Sequence, residues 1–302
     1  MHAYLVIANK NIEQLRVLLN LLDNVNNDIY LTVDAKSDIV EDAHKLTTKY
    51  SKLVLFDNIS IYWGEFSQVQ AEMQMIELAA RDHYQYYHII SGIDLPLQPQ
   101  SVIKRFFDQN PNKEFLTFAG TIPQSIIRRR KFPRIFRHHY RPESGYKWKS
   151  IHLLQRVWLA FQILIHLSPN HKKEFIASNW CSIDDHLAQI LVLDKEKIVK
   201  RFSKGYLVDE AFIPWIVDQH NLWSRIYYSK PMHNQESDFQ GNLRYINWWD
   251  GEINPKIFKN VDLDIAELKR ARRRGYLFAR KFDDHVDSKI IEKVVKWVEE
   301  GD

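Results

Sequence analysis

The sequence predicts an α/β fold in which helices cover a mostly parallel sheet. Along the first 120 residues, short apolar runs alternate with helical patterns, the order that parallel strands and their crossover helices require. The chain has 302 residues, of which 45% are hydrophobic and 13% aromatic, so it can bury a large core. Its single cysteine excludes an internal disulfide and any zinc site built from several thiolates.

The first three strands are predicted at 3–8, 28–33 and 52–56, where the apolar runs are short and continuous. A helix should follow the first strand, because Ile12, Leu15 and Leu19 are spaced three or four residues apart after Asn11, a residue type that caps helices. A second helix is expected at 37–50.

The alternation continues with helices at 66–81 and 100–108 and with strands at 86–90 and 114–118. Parallel sheets of this kind bind ligands at the carboxyl ends of their strands. The loops that follow the strands are therefore the first place to look for a site.

The second half has fewer clear periods. An apolar helix is predicted at 151–167. Three more helices are expected: one that ends near Leu193, one at 209–219 and one at the end of the chain. Strands are predicted at 223–229 and 243–248. No repeat or Ser/Gly linker interrupts the chain. One domain with an insertion in the middle is the simplest organisation.

The net charge of +4 hides a strongly basic segment. Between Ile126 and Lys173 there are twelve Lys or Arg residues and one acid, Glu143. Such a segment predicts an anionic partner. One alternative is therefore a non-enzymatic protein that binds nucleic acid or another anionic surface through this segment.

Several chemistries are excluded by missing motifs, since the chain has no G-x-G-x-x-G, Walker loop, G-x-S-x-G or H-E-x-x-H. Cys181 lies among apolar residues and is expected to be a buried, inert thiol. No run is long and apolar enough to span a membrane, and the chain opens on a strand pattern without a targeting segment.

Acidic pairs of the kind that hold a divalent ion occur at Asp184–Asp185, Asp262–Asp264 and Asp283–Asp284. The first two pairs stand where helices are predicted to begin, which favours a role at helix N-termini. A metal-dependent transferase that uses Asp262 and Asp264 remains an alternative.

Eight blocks in register match one known family: AYLVIANKNIEQL, DIYLTVDAKS, YWGEFSQVQAEMQMI, YYHIISGIDLPL, FIASNWCSI, VDEAFIPWIV, LRYINWWDG and GYLFARKFD. They run from residue 3 to about 287 and leave a gap at the basic segment. The chain thus resembles the core-2/I-branching β-1,6-N-acetylglucosaminyltransferases, a family that includes the peptide O-xylosyltransferases.

The resemblance implies a GT-A-like single catalytic domain over 1–302. A Rossmann-like half at 1–120 would bind the nucleotide sugar, 122–173 would be the basic and aromatic insertion, and 174–302 would hold the acceptor and the catalytic base. The implied reaction is inverting and metal-independent. It moves a sugar, GlcNAc from UDP-GlcNAc, to a hydroxyl of an oligosaccharide or polysaccharide precursor, with no cofactor.

The resemblance also assigns residues. Glu210 in the VDEAF block matches the family's general base, with Val208 where the family has Pro. The phosphates would be met by Lys281 in FARKFD and by Lys256, which stands where Arg is usual. Arg272, Arg273 and Arg274 compete for the role of Lys281. The remaining donor-binding residues are Ile7, Asn9, Asp34, Trp63 and Asp94.

For the acceptor, the resemblance points to Trp248 as the ring against which a sugar packs and to Asp250 beside it. Trp180 and Trp249 are alternatives, and a place in the core is the other interpretation for each of the three tryptophans. No nucleic-acid partner is implied.

The animal members of the family carry a membrane anchor and several disulfides, and this chain shows neither. That difference predicts a bacterial, cytoplasmic relative that acts on polysaccharide precursors, including lipid-linked ones. The basic segment and the apolar run after it would then lie peripherally on an anionic inner leaflet. The alternative is a helix that packs on the domain with its arginines solvated.

Overall fold

The computed structural model describes residues 1–122, 147–165, 175–250 and 255–300. Its strands are β1 His2–Ala8, β2 Asn27–Val33, β3 Leu53–Phe56, β4 Tyr86–Ser91, β5 Asp94–Pro96, β6 Ser182–Asp184, β7 Arg244–Ile246 and β8 Phe278–Arg280. Its helices are α1 Ile12–Leu22, α2 Val40–Ala43, α3 Phe66–Ala79, α4 Gln100–Gln109, α5 Lys147–Leu164, α6 Asp185–Leu193, α7 Lys195–Phe202, α8 Phe212–Gln219, α9 Asp262–Arg273 and α10 Asp284–Glu300. Short 3-10 turns lie at Ala80–Asp82 and Leu222–Arg225.

The main sheet has the strand order β3-β2-β1-β4-β6. The first four strands are parallel, and β6 runs antiparallel along β4. Every residue of β1 is buried, as expected for a central strand covered on both faces. The predicted α/β class with a mostly parallel sheet is confirmed.

Alternate residues of β1 supply the two halves of the core. Tyr4 and Val6 belong to the apolar cluster on one face of the sheet, and Leu5 and Ile7 belong to the cluster on the other. This follows from the two-residue period of a strand. The helices pack their apolar stripes against these two faces.

A second, smaller sheet of order β5-β8-β7 extends the first. β5 begins directly after the turn that ends β4, and it pairs antiparallel with β8, with Asp94 opposite Arg280. β7 pairs parallel with β8, so the two strands end at the same edge. β7 and β8, which are far from β4 in the sequence, thereby come next to the end of β4.

A buried arginine joins the two sheets. The guanidinium of Arg244, on β7, donates to the carbonyl oxygen of Cys181 at 2.7 Å and to the hydroxyl of Ser182 at 3.0 Å. Burial lowers its pKa to about 10. Cys181 is buried as predicted, and burial also raises the pKa of its thiol.

The predicted helix at 37–50 is wrong in extent, since only Val40–Ala43 is helical. The carboxylate of Asp23 accepts hydrogen bonds from the backbone N–H groups of Lys49, Tyr50 and Ser51 at 2.6, 3.0 and 2.7 Å. These bonds draw the end of the segment into a turn, because a carboxylate offers the backbone an alternative to helical pairing.

Two other local predictions also fail. Asn11 has a left-handed backbone (φ 60°), and its side chain donates to Asp283 at 2.9 Å and does not cap α1. The stretch 114–118 makes only isolated bridges, in which Glu114, Phe115 and Phe118 pair with three different segments. A strand pattern without one continuous neighbour does not form a ladder.

The basic segment is described only in part. α5 confirms a helix where 151–167 was predicted, but the arginine-rich run at 126–146 and residues 166–173 lie outside the described residues. No helix in the described ranges is long and apolar enough to cross a bilayer.

Candidate active site

The carboxyl ends of β1, β2 and β4 meet at one edge of the main sheet, and the predicted donor residues lie there. Ile7 is the last residue but one of β1, and its carbonyl oxygen accepts a hydrogen bond from the N–H of Gly92 at 2.8 Å. A side chain at Gly92 would clash, since its Cβ would stand 2.9 Å from the Cβ of Ala8. Asn9 follows as an exposed residue, and Asp34 leaves β2 beside it.

Asp94 lies at this edge as half of a buried ion pair. Its carboxylate accepts from the hydroxyl of Ser91 at 2.9 Å and from the guanidinium of Arg280 at 3.0 Å. The same guanidinium lies over the ring of Trp180, 4.5 Å from the ring centroid. Arg280 therefore connects a predicted donor residue to a predicted acceptor residue, and sequence reasoning did not single it out.

Asp34 joins the loop after β2 to the loop after β3. Its carboxylate accepts from the ammonium of Lys36 at 2.7 and 2.8 Å and from the N–H of Ile61 at 3.1 Å. Lys36 also lies over the ring of Tyr62, 4.3 Å from its centroid. The residues that follow, including Trp63, are positioned by these contacts.

Trp63 stands half in solvent, with its ring edge-on to Tyr206 at a centroid distance of 5.7 Å. Gly64 beside it has a left-handed backbone (φ 73°), and its carbonyl oxygen accepts from the N–H of Leu207 at 2.7 Å. A Cβ at position 64 would lie 2.6 Å from the ring of Tyr206, so only glycine fits. This contact brings Trp63 to the segment that carries Glu210.

A cavity of about 290 Å³ opens beside this contact. Its walls combine aromatic rings with hydroxyl and carboxyl groups, among them those of Tyr62, Glu65, Phe66, Ser67 and Tyr206. Apolar rings with a few polar groups are typical of small-molecule pockets.

Glu210 occupies a tight turn immediately before α8. The turn is held by Val208, whose carbonyl oxygen accepts from Ala211 at 3.0 Å and from Phe212 at 3.1 Å. Val208 and Ala211 are buried and Glu210 is partly buried, so the apolar residues anchor the turn around the acid. The carbonyl oxygen of Glu210 accepts from the N–H of Ala177, three residues before Trp180.

A second acid, Glu72 on α3, lies fully buried beneath this turn. Burial raises the pKa of its carboxyl group well above the usual value, and the negative charge of Asp209 raises it further. Gln68 and Asn179 donate to it at 3.0 and 3.4 Å. Glu72 thus supports Asn179, the neighbour of Trp180. The only signal in the sequence was a glutamate within the apolar face of a helix.

Lys281 directly follows β8 and lies at the same edge. Its carbonyl oxygen accepts from Phe258 at 3.0 Å, and the next residue, Phe282, donates to Ile93 at 3.0 Å. Arg272, Arg273 and Arg274 precede β8, so they stand at its opposite end. Of these cations, Lys281 is the one next to the strand ends.

Asp283 fastens this segment to the end of β1. Lys10 and Asn11 both donate to its carboxylate. Burial opposes ionisation of Asp283, but these two hydrogen bonds outweigh it and lower the pKa. Of the Asp283–Asp284 pair of the sequence, Asp283 is therefore engaged within the protein.

Lys256 is surrounded by three carboxylates. Its ammonium lies 2.5 Å from Asp250, 2.9 Å from Asp264 and 3.2 Å from Glu267. Burial alone would lower the pKa of Lys256, but its carboxylate partners raise it above the usual value. A diphosphate would have to compete with these partners. Asp250, predicted to contact the acceptor, is one of them.

The three tryptophans have different surroundings. Trp180 stacks with Arg280, whereas Trp249 packs edge-on against Tyr245 at 5.9 Å as part of the core. Trp248 lies two residues after the end of β7 and is partly buried. Of the three, Trp180 is the one that contacts another residue of the site, Arg280.

The remaining acidic pairs have structural partners. Asp184 caps α6 by accepting from Leu187 at 3.0 Å, as predicted. Asp264 accepts from the N–H of Lys259 at 2.7 Å besides its bond to Lys256. It was expected to cap a helix that starts at Ile265, but the helix begins three residues earlier, at Asp262, so Asp264 lies in its first turn. Within the described ranges, no three His, Cys, Asp or Glu residues are arranged to hold a metal ion.

Comparison with known proteins gives a family match and distant relatives. The model of the Core-2/I-Branching enzyme family matches residues 2–272. A xylosyltransferase of Ciona intestinalis is 20% identical over 309 residues, covering 95% of this chain and 32% of that protein. Xylosyltransferase sqv-6 of Caenorhabditis elegans is 23% identical over 310 residues, covering 94% and 34%. The chain therefore spans about a third of the length of these relatives.

Among solved structures, the apo form of mouse xyloside xylosyltransferase 1 is similar over 73% of this chain and 83% of that one. The sequence identity is 11% and the TM-score is 0.32.

Proposed function

The chain belongs to the Core-2/I-Branching enzyme family, and from that premise we propose that it is a glycosyltransferase with a GT-A-like catalytic domain. It moves a sugar from a nucleotide-sugar donor to a hydroxyl of a glycan. The observation that carries the proposal is the convergence of the matched blocks at one edge. Asp94, Trp180 and Lys281 come from three separate blocks, and Arg280 connects the first two.

The proposed reaction is an inverting displacement with Glu210 as general base. The acceptor oxygen forms a bond to the anomeric carbon while the bond from that carbon to the phosphate oxygen breaks. The acceptor proton moves to the carboxylate of Glu210, and the electron pair leaves with the diphosphate. The turn before α8 supports this role, because it holds a partly buried acid next to the segment of Trp180.

The departing diphosphate needs positive charge, and we assign this to Lys281. Lys256 shares the role only if the donor draws it away from Asp250, Asp264 and Glu267. On the donor side, Ile7, Asn9, Asp34 and Trp63 line the ends of β1, β2 and β3. Asp94 contributes by holding the guanidinium of Arg280 in place. We propose that no metal ion takes part.

The donor has two candidates. The motif resemblance favours GlcNAc from UDP-GlcNAc, whereas the relatives named as xylosyltransferases favour UDP-xylose. The acceptor is proposed to be an oligosaccharide or a polysaccharide precursor that contacts Trp180, Trp248 and Asp250.

Thermal-shift measurements with UDP-GlcNAc, UDP-xylose and other nucleotide sugars test donor binding. A donor at about a hundred times its Kd should stabilise the fold by about 2.7 kcal/mol and raise Tm by about 4 °C. The shift should be the same with and without EDTA. No shift with any nucleotide sugar would refute the proposal, and a shift lost in EDTA would favour the metal-dependent alternative.

Two variants separate the catalytic roles. Glu210→Gln should bind the donor as the wild type does but lose about a hundredfold or more in turnover. Near wild-type turnover would exclude Glu210 as the base. Lys281→Met should weaken donor binding, whereas Arg273→Met, which removes a charge before β8, is the matched control and should not.

A further inference from the structure

α5 exposes five of its large apolar residues and buries two of its glutamines. Five large side chains, those of Leu153, Leu154, Val157, Phe161 and Leu164, are between 48% and 77% exposed. On the same helix, Gln155 and Gln162 are 8% and 1% exposed. Elsewhere the pattern is the usual one, as in α4, which buries Ile103 and Phe107.

The exposed residues form one stripe. At about 100° per residue, their side chains fall within an arc of about 100°. Gln155 and Gln162 point to the opposite side. The stripe therefore faces away from the body of the protein, and none of its five residues joins either apolar cluster of the described core. We call these five residues the α5 stripe.

An exposed apolar stripe of this size is typical of an interaction surface. The charges beside it indicate what it meets. Lys149 and Arg156 are exposed along one border of the stripe. The segment that contains α5 has twelve basic residues and one acid between Ile126 and Lys173. The fitting partner is apolar at its centre and negatively charged at its rim.

A lipid bilayer with anionic headgroups has this chemistry. A second copy of the chain fits less well, because it would bring positive charge to a surface where Lys149 and Arg156 are already exposed. Since no described helix is long and apolar enough to span a bilayer, the contact would be peripheral.

We propose that α5 lies in the interface of an anionic membrane, with the α5 stripe toward the acyl chains and Lys149 and Arg156 among the headgroups. The inference rests on α5 and on the charge of the segment. It does not depend on the proposed sugar transfer, and its experiments measure membrane contact and not activity.

Co-sedimentation of the full chain with vesicles is the first test. The protein should bind vesicles of phosphatidylcholine mixed with phosphatidylglycerol, bind less at high salt, and bind vesicles of phosphatidylcholine alone at least about tenfold more weakly. A triple variant, Leu153→Gln with Val157→Gln and Leu164→Gln, should lose at least about tenfold in binding to the mixed vesicles.

The matched control replaces three exposed apolar residues outside α5. Val25, Leu193 and Leu263 are 67%, 81% and 81% exposed, and their change to Gln should leave vesicle binding unchanged. Thermal melting checks that both triple variants remain folded. If the wild type does not bind mixed vesicles at low salt, or if the α5 variant binds like the control, the proposal is overturned.

Spin labelling locates the contact. Because the one natural thiol, Cys181, is buried, a nitroxide can be placed at a single new cysteine, Val157→Cys, with Leu193→Cys as the control. On addition of mixed vesicles, the label at 157 should gain contact with oxygen and lose contact with a water-soluble relaxation agent, while the label at 193 should not change. The membrane proposal fails if the label at 157 is inaccessible to the water-soluble relaxation agent even without vesicles and sedimentation shows a dimer. In that case a second copy of the chain covers the stripe.

Discussion

The replacement of Glu72 by glutamine should change how the stability of the protein depends on pH. Glu72 is fully buried, and its folded-state pKa lies well above the ordinary value of 4.5. One carboxylate oxygen accepts from Gln68 and Asn179, and the other has no hydrogen-bond partner among the described residues. A glutamine keeps the shape and the accepting oxygen but cannot ionise.

The magnitude follows from proton linkage. Above about pH 4.5 the unfolded chain releases the Glu72 proton while the native protein keeps it, so the free energy of unfolding falls as pH rises. The contribution of this one group reaches about 1.4 kcal/mol per pH unit until the folded-state pKa is passed. For a chain of this length, this corresponds to about 2 °C in Tm per pH unit. Glu72→Gln removes the contribution, so its stability relative to the wild type should grow with pH.

Urea denaturation of both proteins between about pH 5 and pH 7 measures the effect. The difference in the free energy of unfolding should increase in favour of the variant by about 1 kcal/mol or more per pH unit. Glu77→Gln is the control, because it makes the same change on α3 at a partly exposed carboxylate paired with Lys195. It should shift stability by less than about 1 kcal/mol. Parallel pH profiles for Glu72→Gln and the wild type would refute the protonated state of Glu72.

Three further outcomes are expected from the described contacts. Arg280→Met should lower the free energy of unfolding by about 3–5 kcal/mol, because Asp94 stays buried without its counter-charge; a loss below about 1 kcal/mol in urea denaturation would contradict this. Gly64→Ala should cost about 1–3 kcal/mol through its left-handed backbone and its approach to Tyr206, and an unchanged Tm would disagree with it. Cys181 should not react with a thiol reagent in the native protein but should react fully in denaturant, and rapid native labelling would show that it is exposed.

β1, β2 and β4 were predictable because these strands are almost entirely buried. β1, β2 and β4 were expected to within one or two residues, since a short continuous apolar run between helical patterns fits few other structures. The order of strands and helices then placed the candidate site at the strand ends. This much depends only on local pattern and on general rules of topology.

The second sheet was harder to predict for a physical reason. β5, β7 and β8 have three residues each. Only β7 was expected, within the strand predicted at 243–248, and β5 and β8 are too short for a period to appear. Their pairing depends on contacts between distant segments, such as Asp94 with Arg280, 186 positions apart. A strand predicted at 223–229 became the 3-10 turn Leu222–Arg225 with an isolated bridge at Ile226. Local propensity does not encode such partners.

In the candidate site, too, some residues could be predicted from the sequence and others could not. Motif resemblance selected Asp94, Trp180 and Lys281 one at a time, and the structure places each of them at the strand ends. The groups that connect or support them, Arg280 and Glu72, were missed. Arg280 stands inside a matched block but looks like one of many basic residues, and Glu72 looks like an ordinary helical glutamate. Only their burial and partners separate them from surface charges.

The last strand completes the site although the family match ends before it. The matched region stops at residue 272, whereas β8, Lys281 and Asp283 follow it. Without β8, β5 and β7 would lose the partner that they share, and Asp94 would remain buried without Arg280. The pairing of Asp283 with Lys10 and Asn11 also fastens this segment to the end of β1. Because a buried carboxylate without its counter-charge costs several kcal/mol, the C-terminal segment stabilises the N-terminal half as well as closing the site.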